Sequence, residues 1–339
     1  MRRLELPMIA RKPVSLTIRP TRKFMRRKLD TIIGRGRRLI AATSAVPGPS
    51  FVAHRDALQR VRVQGHVFGA RDPVFDVNSK VDAAAWADRM GVRRAAVYAE
   101  VTDVADLPWQ TLPSRFVLKP VRGAASRGVL LLQRRDGVLQ ELRTEHALTE
   151  GDITTQLRAL AESGQVSREL VVEELVEDPR RPGRGPIDWK FTTFFGRVGL
   201  AEAKISSAGG AVWCGFDEYW RTVGRRYAGN RLNIDESIPP PVHADELMDL
   251  AKRISASIPR PFVRVDLYDS AEGPVFGEIT PEPGGPPHFR RDIDHRLGEL
   301  WEEAEGRLLA RAAHDGSISP ADAPLLGSAL LPLPSADTR

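Results

Sequence analysis

The chain has 339 residues, of which 42 % are hydrophobic and 28 % are charged. These proportions are typical of soluble globular proteins, and no stretch approaches the roughly 18 consecutive apolar residues of a membrane helix, so we expect neither a membrane-spanning nor a wholly disordered chain. The single cysteine, Cys214, excludes an intramolecular disulfide and a multi-cysteine zinc site. We expect a cytoplasmic protein, because no apolar segment typical of a secretory signal lies near the N-terminus.

The charge is unevenly distributed. Residues 1–40 contain thirteen Lys or Arg and two acidic residues, whereas the whole chain has a net charge of +6. Such a basic arm could contact nucleic acid, anionic lipid or an acidic polymer, or it could be a solvated extension without a specific partner. We take residues 1–50 as arm and linker because Pro and Gly at 47–49 interrupt regular structure. Residues 315–339, rich in Ser, Pro, Ala and Gly, are predicted to be a flexible tail.

Between these ends, helical and alternating patterns are mixed, which predicts an α+β fold and not a regular βαβ series. In chain order, the patterns predict a helix that begins near residue 80 and ends before 91, strands at 115–119, 128–133 and 169–175, a hairpin of 190–195 and 198–203 turned at Gly196, a helix over 243–258, strands at 262–268 and 274–280, and a last helix over 296–312.

A lysine and a loop of small residues form the first candidate site. Lys119 ends a strand, and residues 120–128 read PVRGAASRG before the next strand begins. Small residues allow backbone N–H groups to approach phosphate oxygens, and a lysine supplies a compact positive charge. The spacing is not that of a P-loop, so the segment predicts either a phosphate site or an ordinary hairpin loop.

Charged residues on two neighbouring strands form the second candidate site. Alternation places Arg264 and Asp266 on one face of their strand, and Glu278 lies on the next strand. A turn centred near Ala271 would place Arg264 opposite Glu278 and Asp266 diagonal to Glu278, at roughly 7–8 Å between Cα atoms. The two carboxylates could then share magnesium ions, which prefer oxygen ligands, or Arg264 and Glu278 could form an ion pair across the strands.

An apolar strand that ends in acidic residues is the third candidate. Residues 170–178 read LVVEELVED. Backbone groups of such a strand could contact an adenine edge, and a carboxylate could contact a ribose, although strands that end in acidic residues are ordinary.

The order of these segments resembles the ATP-grasp superfamily and, more narrowly, its TupA-like branch, which is associated with teichuronopeptide and polysaccharide biosynthesis. The resemblance covers about residues 70–301 and is carried by five motifs, FVLKPVRGAASRGV, VVEELVED, DWKFTTFFG, RVDLYD and FGEITPEPGG. It implies two α+β subdomains that grip ATP between them, a small lid subdomain at 111–190 and a large subdomain with the metal site at 191–314, preceded by a smaller α/β region at 51–110.

The resemblance also implies roles for matching residues. Lys80 and Lys119 would reach the ATP phosphates, residues 123–128 would close over them, Glu173 and Leu175 would contact adenine, and Glu177, Asp178 or Asp188 would bind the ribose. The implied nucleotide-binding residues are Lys80, Lys119, Gly123, Ser126, Gly128, Glu173, Glu174, Leu175, Asp178, Asp188 and Lys190. The implied metal ligands are Asp266, Glu278 and Thr280, and the implied catalytic residues are Arg264 and Lys119.

The implied activity is that of a ligase that uses ATP and Mg²⁺. A substrate carboxylate would be phosphorylated to an acyl phosphate, and an amine substrate would displace phosphate to form an amide, in polysaccharide, peptide or specialised-metabolite biosynthesis. The alternatives are a kinase that acts on a sugar or another hydroxyl compound, and a nucleotide-binding module docked by its basic arm. The chain departs from the family pattern at Ala125, where glycine is usual, and at Thr280, where many members have asparagine.

Overall fold

The computed structural model describes residues 48–67, 80–123, 126–228, 232–282 and 289–316, with the backbone alone at 61–67 and 80–84. The basic arm, Ala125 and most of the predicted tail therefore lie outside the described residues. In chain order, the helices are α1 (Phe51–Val67), α2 (Lys80–Arg89), α3 (Glu150–Glu162), α4 (Ala244–Ser257) and α5 (Arg291–His314). None of the helices among the described residues has the length and apolar character needed to span a bilayer.

The strands form two six-stranded sheets. The first sheet has the order β1-β6-β2-β3-β4-β5 and is antiparallel throughout. Its strands are β1 (Val97–Val101), β2 (Arg115–Pro120), β3 (Leu130–Arg135), β4 (Val138–Glu141), β5 (Ala147–Leu148) and β6 (Leu170–Glu173).

The second sheet has the order β10-β9-β8-β7-β11-β12, and only the β9–β10 pair is parallel. Its strands are β7 (Asp188–Phe194), β8 (Arg197–Ser207), β9 (Gly210–Phe216), β10 (Asn233–Ile234), β11 (Val263–Ser270) and β12 (Gly273–Thr280). Because β7 pairs with both β8 and β11, segments far apart in the chain come to lie side by side.

Apolar side chains anchor a helix to each face of the second sheet. Trp189 and Val265 are fully buried on one face, where they belong to the same cluster as Leu247 of α4. On the other face, Phe262 stacks on Trp301 of α5 with 5.2 Å between ring centroids. These two clusters hold the strands that carry the charged residues described below.

The first sheet packs against α3. Thr149 caps this helix, since its hydroxyl accepts a hydrogen bond from the Asp152 N–H and the Asp152 carboxylate accepts one from the Thr149 N–H. Ile153 and Leu157 face the sheet and are buried with Phe116 and Leu132. The capping box therefore starts the helix at the position where its apolar stripe can cover the sheet.

The predicted helices and strands are confirmed, with ends that differ by a few residues. Sequence patterns did not identify α1, α3, β1, β4, β5, β9 or β10. In β1, Ala99 and Val101 on one face are half-buried, but Glu100 is the only polar residue in the strand, so no alternation of polar and apolar residues marks it in the sequence.

The predicted register of the β11–β12 hairpin is wrong. Asp266 lies directly opposite Glu278, and Arg264 lies opposite Thr280. Two features cause the difference: the turn contains the two residues between Ser270 and Gly273, and the pairing shifts by one residue at Gly277. A Cβ at Gly277 would lie 2.9 Å from the Asp266 carbonyl oxygen, so the close approach at this bulge requires glycine.

Candidate functional site

A row of residues crosses five strands of the second sheet. From β12 to β9, successive opposed residues are Glu278, Asp266, Lys190, Glu202 and Gly215. Residues directly opposite each other on neighbouring strands project from the same face of a sheet. The row therefore collects three carboxylates and an ammonium group on one surface.

Asp266 is the centre of the ionic contacts in this row. Its carboxylate lies 2.5 Å from Lys190 Nζ and accepts two hydrogen bonds from Arg264, of 2.6 and 2.7 Å. Lys190 also lies 2.7 Å from the Asp188 carboxylate. Although burial opposes ionisation, the two cations lower the pKa of Asp266 to about 2. Asp266 is therefore a carboxylate at any physiological pH, although only 2 % of its surface is exposed.

Arg264 also joins Asp266 to the neighbouring strand. Its guanidinium donates to Glu278 Oε1 at 3.1 Å and to Thr280 Oγ1 at 2.9 Å, and the Thr280 hydroxyl lies 3.3 Å from Glu278 Oε1. Half of the Glu278 side chain is exposed. Burial and the neighbouring Asp266 raise the pKa of Glu278. The predicted ion pair between Arg264 and Glu278 is present, and Asp266 lies beside it.

The oxygen atoms of these residues suit a hard divalent cation. Mg²⁺ is commonly held by one or two carboxylates and completed by water and phosphate oxygens, and Asp266, Glu278 and the Thr280 hydroxyl provide this chemistry. Asp266 already accepts three hydrogen bonds, so a cation there would displace part of the Arg264 or Lys190 contact. In the described part of the chain, no group of three or more His, Cys, Asp or Glu residues is arranged to hold a metal ion.

The first sheet contributes a further cation, Lys119. Lys119 on β2 forms an ion pair with Glu173 on β6, and both side chains are mostly buried. The loop after β2 turns sharply, because Ser126 has a φ of +57° and Gly128 a φ of +70°. A Cβ at Gly128 would meet the Pro120 ring at 2.9 Å, so this position requires glycine for both reasons. Lys119 and this loop are therefore neighbours.

Arg93, which sequence reasoning missed, links the two sheets. Its guanidinium lies 3.0 Å from Glu174 Oε1, just after β6, and donates to Ser270 Oγ of β11 at 2.9 Å. Glu174 also accepts a hydrogen bond from the Ala96 N–H at 3.1 Å. The side chain of Glu174 is thus used in internal contacts, while Leu175 beside it is buried. An arginine that follows a short helix gives no sequence signal for such a bridge.

The three candidates for a ribose contact lie in different environments. Glu177 pairs with Arg115, and Asp188 pairs with Lys190. Asp178 is buried, accepts a hydrogen bond from the Arg180 N–H at 2.8 Å and has its pKa raised by burial. Asp178 has no cation bound to its side chain among the described residues, so it is the candidate whose carboxylate is least engaged.

Lys80, the remaining predicted nucleotide ligand, is the first residue of α2, and its side chain lies outside the description. Gly123 pairs with Val166 in an isolated bridge beside the loop after β2. The structure therefore brings together two groups of predicted residues. One contains Lys119, Glu173 and the loop, and the other contains Asp188, Lys190, Arg264, Asp266, Glu278 and Thr280.

The family model for TupA-like ATPgrasp proteins matches residues 74–302, about two thirds of the chain. The chain belongs to the TupA-like ATP-grasp family. The family predicted from the motifs and the α+β fold of the ATP-grasp type are therefore both confirmed. A search of curated proteins found no match.

Solved structures similar to the chain include a D-alanine–D-alanine ligase from Helicobacter pylori, at 13 % identity over 66 % of this chain and 60 % of that one, with a TM-score of 0.38. The D-alanine–D-alanine ligase from Bacillus anthracis matches at 16 % identity over 70 % and 69 % of the two chains, with a TM-score of 0.42. A RiPP-associated ATP-grasp ligase from Chryseobacterium gregarium, in complex with ADP and a leader and core peptide, matches at 12 % identity over 72 % and 68 %, with a TM-score of 0.36.

Proposed function

We propose that the protein is an ATP-dependent ligase that activates a substrate carboxylate as an acyl phosphate and couples it to an amine. The carboxylate would accept the terminal phosphoryl group of ATP, and the amine would then displace phosphate to leave an amide and ADP. The observation that carries the proposal is the contact network of Arg264, Asp266, Glu278 and Lys190 on one face of the second sheet. Membership of the TupA-like ATP-grasp family supports the same reaction class.

The network has the charges that phosphoryl transfer requires. Negative charge spreads over the oxygens of the transferring group, so catalysis depends mainly on fixed positive charge and correct positioning. Lys190 is held by Asp266 on the neighbouring strand, and Arg264 is held by Asp266 on its own strand and by Glu278 on β12, which restricts the motion of both cations. Their pKa values are raised by these carboxylates, so both stay protonated. Arg264 would bind the reacting carboxylate or the phosphoryl group through N–H groups not engaged with Asp266.

Asp266 and Glu278, with the Thr280 hydroxyl, would hold Mg²⁺. Bound there, the cation would neutralise charge on the phosphate oxygens. Lys119 would exchange its contact with Glu173 for an ATP phosphate, and the backbone around Gly128 would face the phosphates. Residues 173–175 would contact adenine through backbone atoms, and the Asp178 carboxylate would bind the ribose. In this proposal, residues 111–190 act as the lid subdomain and residues 191–314 as the large subdomain.

Titration calorimetry with ATP, with and without magnesium, tests the nucleotide site. We expect the wild type to bind ATP saturably and in a magnesium-dependent manner. Binding to Lys119→Ala should be at least tenfold weaker, because a charge-assisted contact is lost. The control Lys252→Ala, which replaces a lysine on α4, should bind ATP like the wild type. Absence of binding to the folded wild type, or equal binding by Lys119→Ala, would contradict the assignment.

ADP release in the presence of carboxylates and amines tests the reaction itself. Glu278→Ala is expected to abolish magnesium-dependent turnover and to keep the thermal stability of the wild type, since half of this side chain is exposed. Full turnover by folded Glu278→Ala would contradict the metal assignment. Identification of the product separates the classes, because an amide indicates the ligase and a phosphorylated hydroxyl compound indicates a kinase.

A further inference from the structure

Glu202 belongs to the row of residues that crosses five strands of the second sheet. It is a charged member of this row, and the proposed phosphoryl transfer does not use it. It lies on β8 directly opposite Lys190 and so projects from the same face of the second sheet. The other charged residues around Asp266 are joined to one another by ion pairs, whereas Glu202 has no ion-pair partner among the described residues. Its carboxylate instead accepts one hydrogen bond, 2.8 Å long, from the Tyr227 hydroxyl to Oε1.

Tyr227 is held in place by the backbone of the next strand. Gly215 lies opposite Glu202 on β9, and a Cβ at this position would be 3.0 Å from Cε1 and Cζ of the tyrosine ring. The ring therefore fills the space of the missing side chain, and it is fully buried. Burial and Glu202 raise the pKa of Tyr227, so the hydroxyl keeps its proton and acts as donor. The contact fixes Oε1 of Glu202 and leaves Oε2 for another partner.

The nearest lysine along the strand does not supply that partner. Lys204 lies two residues after Glu202 on the same face of β8, but its ammonium group lies 5.6 Å from the centroid of the Trp213 ring. Lys190, opposite Glu202, is engaged with Asp188 and Asp266. A partly buried carboxylate without a cation is costly, and the pKa of Glu202 is accordingly raised by burial. A positively charged group from outside the chain would remove this cost.

We propose that Glu202 binds the ammonium group of the amine substrate and accepts its first proton. This inference rests on the proposed ligase function. Transfer of that proton to Glu202 frees the nitrogen lone pair, which attacks the carbonyl carbon of the acyl phosphate. The C–N bond forms, the bond from the carbonyl carbon to the phosphate oxygen breaks, and phosphate leaves with the electron pair and the second proton of the nitrogen. Tyr227 is then a positioning residue, because it orients Glu202 through Oε1.

The position of Glu202 agrees with this role. It is separated from Asp266 by one strand, β7, so an ammonium group at Glu202 lies beside the phosphoryl site and not within it. Arg264 and Lys190 would attract the negative acyl phosphate toward the neighbouring part of the same face. The row thus separates the binding of the activated carboxylate from the binding of the nucleophile.

The test is ligand-detected NMR titration with n-butylamine, which is an ammonium ion at pH 7.5, and with n-butanol as its uncharged analogue. We expect saturable binding of butylamine to the wild type and at least tenfold weaker binding to Glu202→Gln, because a charge-assisted hydrogen bond is lost. The control Glu236→Gln, which removes an acidic residue paired with Arg225 outside the row, is expected to bind like the wild type. Tyr227→Phe keeps the charge, so its affinity should fall less than that of Glu202→Gln.

Two results would overturn the proposal: absence of saturable butylamine binding by the wild type, or equal affinity in Glu202→Gln. A purely structural pair would behave differently, because Glu202→Gln and Tyr227→Phe would then lower the melting temperature without changing the affinity for butylamine. If Glu202→Gln does not fold, the second variant is Glu202→Asp, which keeps the charge but shortens the side chain by one methylene group. This variant must also weaken binding. This test and the ATP titration can fail independently. A protein that binds butylamine through Glu202 but does not bind ATP would contradict the proposed ligase function and not the ammonium site.

Discussion

Lys190→Met tests whether the contacts of Lys190 hold the second sheet together. Lys190 is 8 % exposed, and its ammonium group contacts two carboxylates, Asp188 at 2.7 Å and Asp266 at 2.5 Å. Removal of one partner from a buried ion pair typically costs about 3–5 kcal/mol of unfolding free energy. Asp266 keeps Arg264, so we expect the lower limit, about 3 kcal/mol. At about 2 °C per kcal/mol for a chain of this size, the melting temperature should fall by about 6 °C.

The loss should depend on pH in a defined direction. In the wild type, the lowered pKa of Asp266, about 2, gives stability that is present above the ordinary carboxyl pKa and is lost as the pH falls through 2. Without Lys190, the pKa values of Asp188 and Asp266 rise. A carboxyl group whose pKa is higher in the folded than in the unfolded protein lowers the stability at pH values above that pKa. It has no effect at a pH low enough to protonate the group in both states. The deficit of Lys190→Met should therefore be largest near pH 8 and shrink toward pH 4.5.

Differential scanning calorimetry of the wild type, Lys190→Met and the control Lys252→Met between pH 4.5 and 8 measures this deficit. Lys252 pairs with Asp249 along α4 at 3.6 Å, so its replacement should cost little at any pH. A melting temperature of Lys190→Met equal to that of the wild type at pH 8 would show that the contacts of Lys190 do not stabilise the sheet. A deficit of the same size at every pH would show that the cause is packing and not charge.

Two further substitutions separate the site from the scaffold. Gly277→Ala should weaken magnesium-dependent ATP binding at least tenfold in calorimetry, because the added methyl group would lie 2.9 Å from the Asp266 carbonyl oxygen and would separate Asp266 from Glu278. Its control, Gly306→Ala, adds a methyl group in open space on α5 and should bind normally. Trp301→Ala should lower the unfolding free energy by about 3–5 kcal/mol in chemical denaturation. Trp301→Ala should leave the ATP affinity unchanged, since the Trp301 cluster shares no residue with the Asp266 network. Equal losses of ATP affinity in Gly277→Ala and Trp301→Ala would contradict this separation of site and scaffold.

Sequence motifs and patterns were sufficient to identify the family, the main strands and the charged groups. Alternation in RVDLYD was sufficient to put Arg264 and Asp266 on one face, because side-chain direction in a strand has a period of two. The hairpin of β7 and β8 was likewise predicted, but the pairing of Lys190 with Glu202 depends on a one-residue shift in register between Thr192 and Thr193. Sequence patterns carry no signal for that shift, so they did not identify Glu202 as a member of the site.

The contacts between these groups depend on how the strands are paired in three dimensions. The pairing of Asp266 with Glu278 depends on a two-residue turn and on the bulge at Gly277, and a one-residue change in either would move Glu278 to another neighbour. The contact between Lys190 and Asp266 depends on β7 and β11 becoming neighbours across 76 positions in sequence. Local patterns carry no information about such distant pairing, because they record which face a residue occupies and not which strand lies beside it. For the same reason, Arg93 and Tyr227 acquired their contacts only when the sheets were assembled.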